Sequence, residues 1–515
     1  MPLRVIQGTL VHAQSANQPL QILENNVIGV DKNKIIFVEP VECLSELSAQ
    51  HGFELDEVHN INGCFLMPGF VDTHIHAPQY VYTGTAMGLP LLEWLDKYTF
   101  PVEAKFDDLK FATDAYHKVV HRTLKNGTTT ASYFATIHKE ASLKLAEIAA
   151  KFGQRAFIGK VNMDSNSPDF YVETTENSIQ DTEWFIKQVQ SMNNPLVTPI
   201  VTPRFAVSCT LELMKKLAEL AEKYNLPIQT HLDENEGEIA LVKELFPQFS
   251  SYANVYRACG LLTNRTVLAH CIYLDDDEIE TLRSHGCGVS HCACSNFSLK
   301  SGVLDLRKLM TRDVKVSLGT DVSGGYTPSM LGSIRQSVIA SNVQECQQRN
   351  GYRSVDFKEM FYLATLGGSK VLGLQNKIGN FEVGKDFDAI LVNPEAANSP
   401  FDVFHSTYSD TIEDVVQKFL YLGKFASLNF GEKQAKTYNW YSCDLTDTNG
   451  EEKCVMSSCH QKCTFENVYD ELHLCGNYSD IGIMPHFYQN TRLFMFKDGH
   501  LQLNFVAVLV FISAR

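Results

Sequence analysis

The order of apolar and polar positions changes character along the chain. Residues 4–13 and 26–39 alternate and are rich in β-branched side chains, the pattern of strands with one buried face. Asp31-Lys32-Asn33-Lys34 is a polar turn between the halves of the second stretch. From about residue 65, short apolar runs alternate with segments of helical period. The runs are 65–76, 128–136, 155–164, 196–205, 227–232, 266–271, 288–292 and 315–321, and the clearest amphipathic segments are 107–125, 210–224 and 329–346. Eight parallel strands with helices between them predict an α/β fold, a (β/α)8 TIM-like barrel. An open doubly wound sheet is the alternative, but no glycine-rich phosphate fingerprint follows the first strand. After the barrel, Ile378-Gly379-Asn380-Phe381-Glu382-Val383-Gly384-Lys385 leads into a strand over 389–392. The chain ends are therefore expected to build one smaller β domain from 1–66 and 369–423, around a barrel of 67–368, with a divergent tail over 424–515.

The composition narrows the partners. The 515 residues are 44% apolar and 20% charged, an ordinary globular balance, with a formal net charge of −16. An acidic surface repels polyanions, so neither nucleic acid nor an anionic membrane is an expected partner. Met1-Pro2-Leu3-Arg4 leads into alternation, not an apolar core, so no signal peptide is expected. Nine of the 14 cysteines, from Cys43 to Cys346, sit in apolar or small-residue contexts like free thiols of a cytosolic protein. Five crowd between Cys443 and Cys475. The spacing of Cys454, Cys459, His460 and Cys463 matches no strong zinc pattern, and they read as unspecialised tail residues.

The candidate chemistry begins at the first barrel strand. In Asp72-Thr73-His74-Ile75-His76, residues two apart share a face, so two imidazoles point together. With 17 histidines, chance alone supplies roughly half an H-x-H per chain, so the pair decides nothing by itself. Its company does. His231 closes the fifth run, His270 the sixth and Asp321 the eighth, and catalytic residues gather at the C-terminal ends of barrel strands. Histidines and an aspartate there form a metal-site pattern. Glu234, three residues past His231, is placed to lean over the metal and carry protons, although alone it reads as a surface acid within Asp233-Glu234-Asn235-Glu236. His285 and His291 read as structural or solvated.

Pro68-Gly69-Phe70-Val71-Asp72-Thr73-His74-Ile75-His76 resembles the opening motif of the amidohydrolase superfamily, and His231-x-x-Glu234, His270 and Asp321 resemble its deaminase branch. Leu91-Leu92-Glu93-Trp94-Leu95, Thr99-Phe100-Pro101, 198–205, Gly319-Thr320-Asp321 and Gly379-Asn380-Phe381-Glu382-Val383-Gly384 resemble the guanine deaminases. The likeness runs from residue 1 to about Gly423. It implies hydrolytic deamination of guanine to xanthine and ammonia in a cytosolic homodimer. One zinc ion per chain would be held by His74, His76, His231 and Asp321. Glu234 would shuttle protons, with His270 and Asp321 as its catalytic partners. The purine would meet His76-Ala77-Pro78-Gln79, Arg204 and Phe205, together with His231, Glu234 and Asp321. A guanidinium is an always-charged donor suited to a purine oxygen; the alternative reading of Arg204 is a surface arginine after a strand. Cys271, Asp233 and Ala293 depart from the family pattern, which has glycine, serine and proline at these places.

Three rival functions remain. One is a hydrolase of another N-heterocycle, whether a deaminase or a dechlorinase. A two-metal hydrolase would need a lysine at the end of the fourth strand; Thr202-Pro203-Arg204-Phe205 has none, and Lys160 lies on the third. The last is a catalytically idle binding version of the fold. Zinc deaminases built on P-C-x-x-C are excluded, because that motif is absent. Beyond Gly423 the tail, which ends in the apolar run 505–512, is expected to be poorly ordered and no part of the catalytic machinery. The small β domain would then lose a closing strand and expose an edge.

Overall fold

The computed structural model describes residues 3–348, 351–396, 399–424 and 508–511. The N-terminal alternation produces β1 (Arg4–His12), β2 (Gln21–Asp31) and β3 (Lys34–Pro40), followed by β4 (His59–Pro68). β2 and β3 form a hairpin whose turn residues Lys32 and Asn33 have φ of 45° and 71°. Two left-handed residues give a turn whose twist matches that of the strands it joins.

The barrel strands are β5 (Phe70–His76), β6 (Thr128–Phe134), β7 (Arg155–Gly159), β8 (Val161–Asn162), β9 (Val197–Pro199), β10 (Thr202–Pro203), β11 (Ile228–Leu232), β12 (Thr266–His270), β13 (Gly288–His291) and β14 (Lys315–Leu318). All pair in parallel, as β5-β6-β7-β9, β8-β10 and β11-β12-β13-β14. The two four-stranded runs meet at the parallel bridge of Val201 and Ile228. On the other side the Asp321 N–H donates to the His74 carbonyl at 2.9 Å and the His76 N–H to that of Val322 at 3.1 Å. The eight runs are thus eight staves of a closed barrel, the third and fourth each broken into two short strands. Helices such as Leu109–Lys125 and Leu211–Lys223 pack outside. The second is capped by Thr210, whose hydroxyl accepts from the Leu213 N–H. It buries Leu213, Met214, Leu217, Leu220 and Ala221, one helical stripe.

Two boundaries differ from the sequence pattern. The run 65–76 serves two sheets, because β4 ends at Pro68 and β5 starts at Phe70. Gly69 stands between them. A Cβ there would lie 1.9 Å from Thr129 Oγ1 and 2.6 Å from Asp388 Oδ1, so only glycine fits the crossing. The eighth run was expected to end at Asp321, but β14 ends at Leu318. Gly319-Thr320-Asp321 leaves the β14 ladder, with Asp321 at φ 46°.

The chain then returns to the first sheet. β15 (Ala389–Val392) pairs antiparallel with β4, and β16 (Val508–Phe511) pairs antiparallel with β15, giving the order β16-β15-β4-β1-β2-β3. The open edge expected beside β15 is therefore taken by four residues of the C-terminal apolar run. A row of free N–H and C=O groups is satisfied by any extended segment that reaches it. The rest of the tail expectation, with the Cys443–Cys475 group, falls on 425–507 and 512–515, outside the described residues. Of the nine earlier cysteines, six are buried, Cys43 and Cys64 are half-buried and Cys346 is exposed. No helix among the described residues is long and apolar enough to cross a membrane.

Candidate active site

Strand period 2 sends His74 and His76 to one face at the C-terminal end of β5, and His231 and His270 arrive from β11 and β12. His76 Nε2 stands 3.1 Å from His231 Nε2. Asp321 Oδ1 lies 3.1 Å from His74 Nε2 and 3.5 Å from His76 Nε2, while Oδ2 is 3.6 Å from His270 Nε2. Glu234 Oε2 is 3.4 Å from His270 Nε2. All six residues are at most 7% exposed.

The surroundings fix what the rings present. His231 Nδ1 lies 2.6 Å from the Arg204 carbonyl, which can only accept, so Nδ1 carries the proton and a neutral ring turns a lone pair inward at Nε2. His270 Nδ1 meets the Asn296 side-chain oxygen at 2.8 Å in the same sense. The Nε2 atoms of His74 and His270 are buried without a hydrogen bond. Two buried ring nitrogens without a partner, beside the converging His76 and His231 rings and an acid, are costly unless a cation sits among them. Burial pushes the His76 and His231 imidazoles well below their usual range, and the neighbouring rings add to this. For Asp321, burial works to raise the carboxyl, but His74, His270 and His76 hold it well below the usual range. Neutral imidazoles with an ionised carboxylate are the donor set of a divalent metal site. Glu234 goes the other way: burial first, then Asp321 and Glu238, push its carboxyl well above the usual range.

The pocket over this cluster has one polar corner. Arg204 and Gln79 line it, and both are held by a carboxylate that the sequence pattern did not single out, Glu103. Glu103 accepts from Arg204 Nη1 at 2.7 Å, Arg204 Nη2 at 3.2 Å, Gln79 Nε2 at 3.0 Å and the Tyr171 hydroxyl at 2.8 Å. The Ser323 N–H donates to Gln79 Oε1 at 3.1 Å. Phe205, Leu91, Trp94, Leu95 and Leu299 make the apolar wall, and the buried Trp94 Nε1–H has no partner among the described residues. Of the residues expected at the purine, Ala77 and Pro78 are buried in the turn after β5 and do not line the pocket; they carry Gln79 into it.

The remaining candidates fall outside the pocket. His285 closes a helix with Nδ1 2.8 Å from the Thr281 carbonyl, and His291 is buried on β13 with its pKa pushed down to about 3 by burial and His270. Lys160 is ion-paired with Glu173 at 2.5 Å. Cys271, Asp233 and Ala293 are buried behind the pocket wall; Cys271 and Asp233 hold φ of 56° and 49°. Asn296 and Glu238, also not singled out, support the site: Glu238 Oε2 accepts the Glu234 N–H at 2.9 Å. Single polar residues on short helices, most of their partners distant in sequence, leave no periodic signal, so only the assembled fold reveals them.

Comparison with known proteins identifies the family. The model of the amidohydrolase family matches residues 65–429. A guanine deaminase of Dictyostelium discoideum is 49% identical over 437 residues, 83% of this chain and 96% of that protein. The guanine deaminase of Homo sapiens is 49% identical over 424 residues, 81% of this chain and 93% of its own length. Among solved structures, a guanine deaminase from C. acetobutylicum with guanine bound in its active site superposes with a TM-score of 0.76 at 34% identity, covering 82% of this chain and 97% of that one.

Proposed function

We infer that this chain, which belongs to the amidohydrolase family, hydrolyses the exocyclic amine of guanine and releases xanthine and ammonia. The observation that carries the reading is the meeting of two sets of groups in one pocket. A buried histidine–aspartate cluster stands beside a donor-rich corner of Arg204 and Gln79 and a planar wall at Phe205. The donor set fits one zinc ion held by His74, His76, His231 and Asp321. Zinc in that position supplies Lewis acidity and makes a water acidic enough to attack near neutral pH.

The chain's own groups do the rest. Arg204 and Gln79 present N–H donors to the acceptors of a purine, and Phe205 packs on its ring. Ionised Asp321 takes the proton of the attacking water. Glu234, held protonated by burial, gives its proton to the ring nitrogen next to the carbon attacked and then carries one to the departing amine. His270, fixed by Asn296, faces Glu234 and Asp321 and hydrogen-bonds the oxygen that adds. Leu91, Trp94, Leu95 and Leu299 keep bulk water away. The same reading makes the protein a cytosolic homodimer. Ammonia release from guanine, adenine, cytosine and amino-triazines tests it. Guanine should lead by on the order of 100-fold or more, as expected of a site built to hydrogen-bond its substrate. A triazine preference would overturn the substrate, and no turnover by zinc-loaded protein would overturn the enzyme.

A further inference from the structure

Glu103 is wholly buried, touches no candidate metal ligand, and joins the two donors expected at the purine. It accepts two bonds from one guanidinium edge, one from Gln79 and one from Tyr171. Two parallel N–H···O bonds orient a guanidinium plane as well as hold it. Phe100, three residues before Glu103, lies 5.3 Å under the same guanidinium. Gln79 is pinned from both sides, its Nε2 by Glu103 and its Oε1 by the Ser323 N–H, so its amide has one orientation. The pair has a second consequence. Glu103 neutralises Arg204 inside a region of low dielectric, so the corner offers N–H donors without net positive charge.

We propose that Glu103 is the positioning and specificity residue of the purine corner: it fixes Arg204 and Gln79 in one donor geometry and makes that corner select uncharged over anionic heterocycles. This rests on the reading that Arg204 and Gln79 hold the purine. Glu103 does not meet the reacting atoms, so its removal should act on substrate binding and not on the chemical step.

Glu103→Gln tests this on the full chain. Guanine turnover, zinc content and inhibition by two purine analogues, one neutral and one bearing a carboxylate, are measured on wild type and variant. The expected result is full zinc occupancy, KM raised on the order of tenfold, kcat within about threefold, and a selectivity ratio shifted toward the anionic inhibitor. Glu103→Asp keeps the charge and should restore the ratio, which a purely structural role would not produce. An unchanged KM, or a fall in kcat with the ratio unmoved, overturns the proposal. If Glu103→Gln does not fold, Tyr171→Phe decides, since it removes one bond to Glu103 and no charge; raised KM supports the proposal and unchanged KM overturns it. Failure of wild type to deaminate guanine would overturn the substrate reading. The ratio of the two analogues' dissociation constants, read by calorimetry on wild type and variant, needs no turnover and judges Glu103 separately.

Discussion

The barrel mouth and the small sheet are built by opposite rules. At the sheet, Val5, Val27 and Phe37 of its strands form an apolar core with Leu47 and Phe53. Backbone groups there pair strand to strand, and left-handed backbone falls on Lys32 and Asn33 in the β2–β3 turn and on Asn25 at the irregularity of the β1–β2 ladder. At the mouth, four histidines and two acids are buried together, with left-handed backbone at Asp233, His270, Cys271 and Asp321, φ 46–71°. Such residues persist only where the surrounding structure holds them, and they gather at functional sites. The sheet is stabilised by what it buries; the mouth buries ring nitrogens and acids that a divalent cation would satisfy. Stability and function are thus separable regions of one chain.

The strongest test of that contrast is metal removal. Chelation should abolish turnover, and zinc should restore it. Zinc at about 1,000 times its Kd adds about 4 kcal/mol to the folded state, so the apoprotein should melt several degrees lower. Hydrogen exchange should rise at 231–234 and 319–322 and stay unchanged in β1 to β3. Equal loosening of the sheet would mean that the two regions are one cooperative unit. Next in size is Glu234→Gln, which removes a proton carrier and no donor atom of the metal set. It should lower kcat by on the order of 10²–10⁴, with metal analysis still giving one zinc per chain. Near-normal kcat would displace Glu234 from the mechanism.

The contrast also explains what could be read from the sequence. His74 and His76 were legible because period 2 on a strand is local, and His231 and His270 because a run of apolar residues shows where a strand stops. Together they pointed to the proposed metal set and to the barrel. Asp321 was legible as a residue but not in its place, since it lies three residues past β14 and is set by its bond to the His74 carbonyl. Glu103 was not legible. Its burial depends on Arg204, 101 positions later, and no local period foretells that meeting. The same holds for Asn296 beside His270. In the sheet, alternation gave β1 to β3 directly. The division at Gly69 and the pairing of β16 stayed hidden, because both depend on contacts between distant segments.

A smaller effect concerns β16. If this strand only covers an edge, a chain ending at Lys424 should keep its zinc and stay within about threefold of full kcat. Loss of one edge strand, worth about 1 kcal/mol, should lower Tm by about 1 °C and increase aggregation. Light scattering and thermal unfolding measure both. A loss of zinc on truncation would tie the tail to the mouth and break the separation drawn above.

A pH-dependent test asks whether costly buried acids are confined to the mouth. Asp388 sits at the seam between small sheet and barrel, away from the metal set. Its Oδ2 accepts the Thr129 hydroxyl at 2.9 Å, and its Oδ1 is buried without a partner. Burial pushes the carboxyl up to about 6, against the Thr129 bond and the charge of Arg155, which lower it. The unfolded value is about 3.9, so the folded state binds this proton more tightly. By linkage, the resulting stability is present below about pH 4 and lost as pH rises through about 6, leaving a penalty at neutral pH. Asp388→Asn keeps an oxygen for Thr129 and removes the charge. It should raise stability at pH 7.5 by on the order of 1–2 kcal/mol, with the gain fading as pH falls from about 6 toward 4 and with kcat unchanged. Urea unfolding of both chains across that range measures it. A variant that is less stable at pH 7.5 would show that Asp388 works as an ionised partner of Arg155, and that the seam, unlike the mouth, uses its buried charge to hold the fold together.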